Sequence, residues 1–247
     1  MNWIMHRIKH WIKIVKSVKF ELKLWFVVSF MSVILIKFWL IEIPEFFNGG
    51  YKIGQIWSDL CFSYISAFIF YFIVVHVKEF TDKVNLYRYI SRFTNAIISQ
   101  AKKLANDLSS DSMVMLKSDY PTKDELSSIC TIINPNRESP KFIGVTLSDF
   151  YPIWMQYFEN NRKIIIEYAD RILSRNLIYD SELIKILAEI CDCKFFNIVH
   201  HSESNRPSTN RYSKTNLLFI EDPMYDFFSL IKSLECYHNM EFKDFYK

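Results

Sequence analysis

Glycine is scarce in this chain of 247 residues: there are 4, at Gly49, Gly50, Gly54 and Gly144, beside 7 Pro. None belongs to a G-x-G-x-x-G or G-x-x-x-x-G-K-[ST] pattern. Nucleotide folds that bring backbone against a phosphate are therefore excluded. Few turn formers also speak against an all-β chain of many short strands. Catalytic signatures are missing too: no H-E-x-x-H, no C-P-x-x-C and no recognisable Ser-His-Asp arrangement. No enzyme activity and no cofactor are expected. What is abundant is aromatic and aliphatic: 17% Phe, Trp and Tyr, and 50% hydrophobic overall. An α-rich protein is the class that remains.

The mean hydropathy of +0.03 averages two unlike parts. From Leu24 to Ile43 run 20 residues whose charges are Lys37 and Glu42 alone. From Leu60 to Val77 run 18 more, with His76 as the one titratable group near the end. A bilayer core of about 30 Å needs roughly 20 helical residues, so both stretches are long enough to span. Two buried helices of a soluble core are the competing explanation, and they seldom reach this length twice in succession. The first run starts late, exceeds a signal-peptide core and ends in IEIPEFF, so it reads as a retained anchor. The domains expected are a basic amphipathic helix over 1–23, a transmembrane hairpin over 24–77 with spans about 24–43 and 58–77, and a cytosolic helical domain over 78–247.

Flanking charge orients the hairpin. Arg7, Lys9, Lys13, Lys16, Lys19 and Lys23 precede the first span, and Lys78, Lys83, Arg88 and Arg92 follow the second. The excess of cations marks the side that stays in, which predicts two passes with both termini cytoplasmic and the segment 44–59 outside, periplasmic in a bacterium. Ile4, Ile8, Trp11, Val15, Val18 and Leu22 recur at helical spacing, with Lys9, Lys13, Lys16, Lys19 and Lys23 in another sector. Such a helix either lies on anionic membrane lipid or packs on the protein's own cytosolic domain.

Polar groups inside the spans are the first functional candidates. Lys37 either snorkels beside Trp39, or faces Asp59 or a lumen formed by several hairpins. Ser63 and Ala67 make a small-xxx-small pair, with Ser66 on a neighbouring face and Ser29 and Ser32 on the first span. Small surfaces let helices approach, so a homo-oligomer is expected in the active state. Two spans alone enclose no water path.

Charge divides as the hydropathy does. Residues 1–77 hold eight Lys+Arg and four Asp+Glu, leaving 22 and 23 for the remainder, so the basic character is membrane-proximal. The later part has no overall nucleic-acid footprint. Phe80, Val84, Tyr87, Ile90, Phe93, Ile97, Ala101, Leu104 and Leu108 trace one stripe of a long helix. Thr122 and Glu125 stand at capping-box spacing. NPNRESP over 134–140 is a loop; Ser148 or Asp149 caps a helix through Arg175, Asp180 or Ser181 caps one to about His201, and a last helix begins near Pro223. All this predicts an all-α fold with a helical bundle beneath the membrane.

Three clusters invite a chemical reading. Cys191 and Cys193 with His200 and His201 suggest metal ligands, but on a helix residues two apart point about 200° from each other. Buried thiols are the reading adopted, and no metal is expected. The 5 Cys suit reduced thiols rather than disulfides. Glu182 and Glu189 fit a solvated face. Arg206, Arg211 and Lys214 beside Tyr212 form either a solvated loop or a contact for single-stranded nucleic acid or a partner.

The stretch GYKIGQIWSDLCFSYISAFIFYFIVVHVKE carries Gly50 and Gly54, Ser63 and Tyr64, and the run Ile69 to Phe72. Over residues 44–80 it resembles two-transmembrane effectors of bacterial anti-phage systems, including one type of retron. The resemblance implies an abortive-infection toxin of the inner membrane. Such an effector is kept silent by a retron reverse transcriptase with its RNA–DNA product, or by another cytosolic protein partner, and permeabilises the membrane once released. The alternative is a non-toxic membrane-tethered scaffold or adaptor that presents a helical cytosolic domain.

Overall fold

The computed structural model describes residues 11–38, 49–139, 152–174, 180–204 and 212–242. The chain is all-helical: among the described residues there is no strand, and one isolated bridge joins Glu138 to Ile153. Two compact units are present, Met1–Leu86 and Tyr87–Lys247. The division lies nine residues beyond the expected boundary at 77/78, within a helix rather than at its start.

In the first unit, residues 11–17 are helical, within α1. Val18 and Lys19 interrupt it, and α2 follows over Phe20–Phe38. The basic stretch 1–23 is therefore not one helix. Lys13 and Lys16 lie on α1, Lys19 in the break and Lys23 in the first turn of α2, while Lys9 lies outside the described residues. Next comes α3, Gly50–Phe70, then a π-helical turn, Tyr71–His76, and α4, Val77–Ser112. The segment 44–59, expected as a loop, is helical over Gly50–Asp59, and 44–48 lie outside the described residues. Ile53, Ile56, Trp57 and Leu60 recur at three- and four-residue spacing there, which outweighs the roughly 1 kcal/mol that an internal Gly54 costs.

The second unit buries one face of α4, with Ile90, Ile97, Ala101, Leu104 and Leu108 each 2% exposed or less. Around it stand α5 (Lys123–Ile132), α6 (Trp154–Leu173), α7 (Ser181–Cys191), α8 (Lys194–Ser204), a 3-10 turn at Leu218–Ile220, and α9 (Glu221–Glu241). The helix expected from Asp180 to about His201 is two helices, because the chain turns at Asp192 and Cys193. The proposed caps Ser148 and Asp149 lie outside the described residues, and α6 starts at Trp154. Phe158, Phe195, Phe196, Phe227 and Phe228 pack ring to ring at 5.0–5.8 Å, joining α6, α8 and α9. Such aromatic pairs add about 0.5–1.5 kcal/mol each beyond their buried area.

Candidate membrane-active site

The α2–α3 pair is antiparallel. Phe26, near the start of α2, meets Phe68, near the end of α3, at a centroid distance of 4.5 Å. The Tyr64 hydroxyl donates to the Leu22 carbonyl at 3.3 Å. Small residues line the seam: Ser29 on α2, and Ser58 and Cys61 on α3, are buried. Gly54 is not what brings the helices close, since a Cβ built there meets nothing within 4 Å. Ser58 Oγ is the buried side-chain oxygen without a hydrogen-bond partner among the described residues. An unsatisfied buried hydroxyl costs about 1–3 kcal/mol.

The outward surface of the pair is largely apolar, with Lys37 on α2 and Lys52, Gln55 and Asp59 on α3 among the exposed polar side chains. Leu24, Trp25, Val27, Val28, Phe30, Met31, Ile34 and Leu35 are exposed along α2, as are Ile53, Ile56, Trp57, Leu60, Phe62, Ile69 and Phe70 along α3. Among the described residues, the helical stretch Gly50–Ser112 is long and apolar enough to cross a membrane by length and composition, with 6% of its apolar window buried. The described part of α2 carries Glu21, Lys23 and Lys37, and the continuation of its apolar run over 39–43 lies outside the described residues.

Lys37 and Asp59 are both exposed, and no ion pair joins them. The helix that carries the expected second span starts at Gly50, ahead of Asp59. Nine residues at 1.5 Å put Asp59 roughly 13 Å along that helix. Lys37, one residue from the end of α2, lies toward the α3 N-terminus in this antiparallel register, in the same half of the pair as Asp59. Ser63, Ser66 and Ala67 are exposed, so they take no part in the α2–α3 seam and remain open. Sequence reasoning found small residues on α3 but not that Ser58 and Cys61 would be the ones turned inward. Their seven-residue succession from Gly54 (Gly54, Ser58, Cys61) was the available signal.

Where the pair meets α1, His76 closes the π turn. Its Nε2 lies 3.0 Å from Ser17 Oγ and 3.2 Å from the Ile14 carbonyl oxygen, while the Ser17 hydroxyl donates to that same carbonyl at 2.7 Å. Ile14 and Val18 are buried.

Polar groups of the second unit form closed networks. Asp107, 5% exposed, accepts from the Tyr157 hydroxyl at 2.5 Å, and Asp111 accepts from Trp154 Nε1 and pairs with Arg137. Gln100 donates to Asn161. Lys102 bridges Asp119 and Glu235, and Tyr120 donates to Glu235, beside an open groove of about 580 Å³. Burial, then the neighbouring carboxylates, push the Tyr120 and Tyr157 phenols above their ordinary range. Burial also pushes the Cys130 thiol up to about 12 and those of Cys191 and Cys193 up to about 11. Burial opposes the charge on Glu159, but Arg162 and then His200 outweigh it and hold that carboxyl below the usual range.

Cys191 and Cys193 flank the α7–α8 turn rather than sharing a helix. Among the described residues no cluster of three or more His, Cys, Asp or Glu could hold a metal ion. Tyr212 is pinned to the fold: Asn136 both accepts from its backbone amide at 2.7 Å and donates to its carbonyl at 2.9 Å, and its hydroxyl donates to Glu203. Lys214 is exposed, whereas Arg206 and Arg211 lie outside the described residues. Compared with protein families, curated proteins and solved structures, the chain matches none.

Proposed function

We propose that this chain is a two-pass effector of the bacterial inner membrane that acts in anti-phage defence by permeabilising the bilayer, and that it is not an enzyme. The observation that carries the reading is the surface of the α2–α3 pair, where Trp25, Phe30, Met31, Phe62 and Phe70 are all exposed. Soluble monomers rarely leave contiguous apolar patches beyond a few hundred Å² in water. Burial in a bilayer removes that cost at about 25 cal/mol per Å². Cations before α2 and after the π turn favour the orientation with both termini cytoplasmic.

Two helices enclose no pore, so permeabilisation needs assembly or lipid disruption. The open face bearing Ser63, Ser66 and Ala67 supports homo-oligomers. The resemblance of residues 44–80 to anti-phage effectors supports the defensive role. In this reading a cytosolic complex, such as a retron reverse transcriptase with its RNA–DNA product, holds the second unit silent until phage interferes with it.

The test is entry of a membrane-impermeant DNA dye into bacteria after induced expression. The full chain is compared with a chain whose residues 20–76 are exchanged for an unrelated two-span anchor, at matched abundance in the membrane fraction. Dye entry only with the native pair supports the effector. A chain that protects against phage equally well with the exchanged anchor is a tethered scaffold, and the effector reading falls.

A further inference from the structure

The segment before α2 has two apolar faces, and the fold occupies only one. Ile14 and Val18 turn inward and are buried, and Trp11 leans on Phe72 at 6.5 Å between centroids. Ile12 and Val15, on the far side of the same helix, are each 48% exposed, and Trp11 is 46% exposed. Lys13, Lys16 and Lys19 are exposed around them, and between residues 11 and 23 the one acid is Glu21.

To these apolar contacts one imidazole adds a polar clasp. Ser17 spends its proton on the Ile14 carbonyl, and a carbonyl only accepts, so His76 Nε2 carries the hydrogen that reaches both Ser17 Oγ and Ile14 O. His76 ends the π turn Tyr71–His76. The extra residue in such a turn re-aims the side chains after it by about 100° relative to an unbroken α-helix. Isolated π turns are costly enough to be associated with function. Here the product is a clasp between α1 and the end of the apolar helix.

We infer that residues 11–19 form a preset docking surface for anionic phospholipid headgroups, with His76 as its positioning residue. This rests on the membrane reading above. Trp11, Ile12 and Val15 enter the boundary between headgroups and acyl chains, continuous with the exposed Phe20, Leu24 and Trp25 of α2. Lys13, Lys16 and Lys19 meet the lipid phosphates. Three such cations strengthen attachment to an anionic surface by about a hundredfold. Lys23 contributes differently, since its Nζ donates to the Lys16 carbonyl and steadies the break.

The full chain is reconstituted in vesicles of phosphatidylcholine alone and of phosphatidylcholine with one third phosphatidylglycerol, and amide hydrogen exchange is followed by mass spectrometry. Exchange in residues 11–19 is expected to slow at least tenfold in the anionic vesicles, and 0.5 M KCl is expected to erase most of that difference. His76→Phe should lose the difference while residues 50–70 stay protected, and His76→Gln, which restores an N–H donor, should recover part of it. Equal exchange in both vesicles, with the chain floating in each, overturns the headgroup site and leaves the membrane reading standing. A chain that does not float with vesicles overturns the membrane reading itself. Wild-type behaviour in His76→Phe overturns the clasp.

Discussion

Arg162 grips Glu159 with two parallel hydrogen bonds, Nε at 2.7 Å and Nη2 at 2.8 Å, one to each carboxylate oxygen. The pair lies three residues apart on α6, with both side chains largely buried. Because the folded carboxyl lies below its ordinary 4.5, the stability it contributes is complete above that value and is lost as pH falls through the lowered one. Thermal unfolding of the full chain in detergent should therefore show a stability loss beginning below about pH 4.5. Glu159→Gln should cost about 3 kcal/mol at neutral pH, by stranding the guanidinium, and flatten that acid slope. Equal slopes in the two proteins would show that the pair does not titrate on unfolding.

Two glycines five residues apart, Gly49 and Gly54, should respond in opposite senses. Gly54 lies inside α3 with open space where a Cβ would stand. Gly54→Ala should stabilise the helix by about 0.5–1 kcal/mol. Gly49 precedes the helix at φ +97°, a left-handed conformation, and Gly49→Ala should cost about 1–2 kcal/mol. The helical circular dichroism signal on heating reports both, and stabilisation by Gly49→Ala would contradict the backbone at that cap.

Thiol labelling should separate one cysteine from the rest. Cys236 is exposed, Cys61 and Cys130 are buried, and the Cys130, Cys191 and Cys193 thiols are pushed up to about 12, 11 and 11. A maleimide at pH 7.5 should modify Cys236 first, and Cys130 only after unfolding, because the thiolate is the reacting species. Mass spectrometry of a labelling time course reads this directly. Equal rates at Cys130 and Cys236 would mean that α5 is not packed as described.

Lys37 tests the effector reading at one residue. Its side chain is exposed near the end of α2. If it lines the active assembly, Lys37→Leu should lower dye entry several-fold without lowering membrane abundance. Undiminished entry would leave it a snorkelling cation.

Local signals were legible where short-range chemistry decides. The capping box is present, with Glu125 N–H donating to Thr122 Oγ1 and the Thr122 amide donating to Glu125. Asp180 caps α7 through Glu182 N–H, and the stripe from Ile90 to Leu108 is the buried face of α4. What sequence could not show depends on partners distant in the chain. The α7–α8 turn at Cys193 breaks a periodic pattern without any Gly or Pro. Ser58 turns inward and Ser63 outward because α2 covers one side of α3 only. The clasp of His76 on Ile14 joins residues 62 apart, and nothing local announces a π turn.

The first and last helices of the second unit hold each other: Thr94 Oγ1 lies 2.8 Å from His238 Nδ1, across a separation of 144 residues. A ribosome adding about 5–20 residues per second needs roughly 7–29 s to cover that interval. Throughout it, the face of α4 that carries Ile97, Leu104 and Leu108 waits for the α9 that helps to cover it. The nascent chain thus shows an apolar helix face to its surroundings for longer than most small domains take to fold.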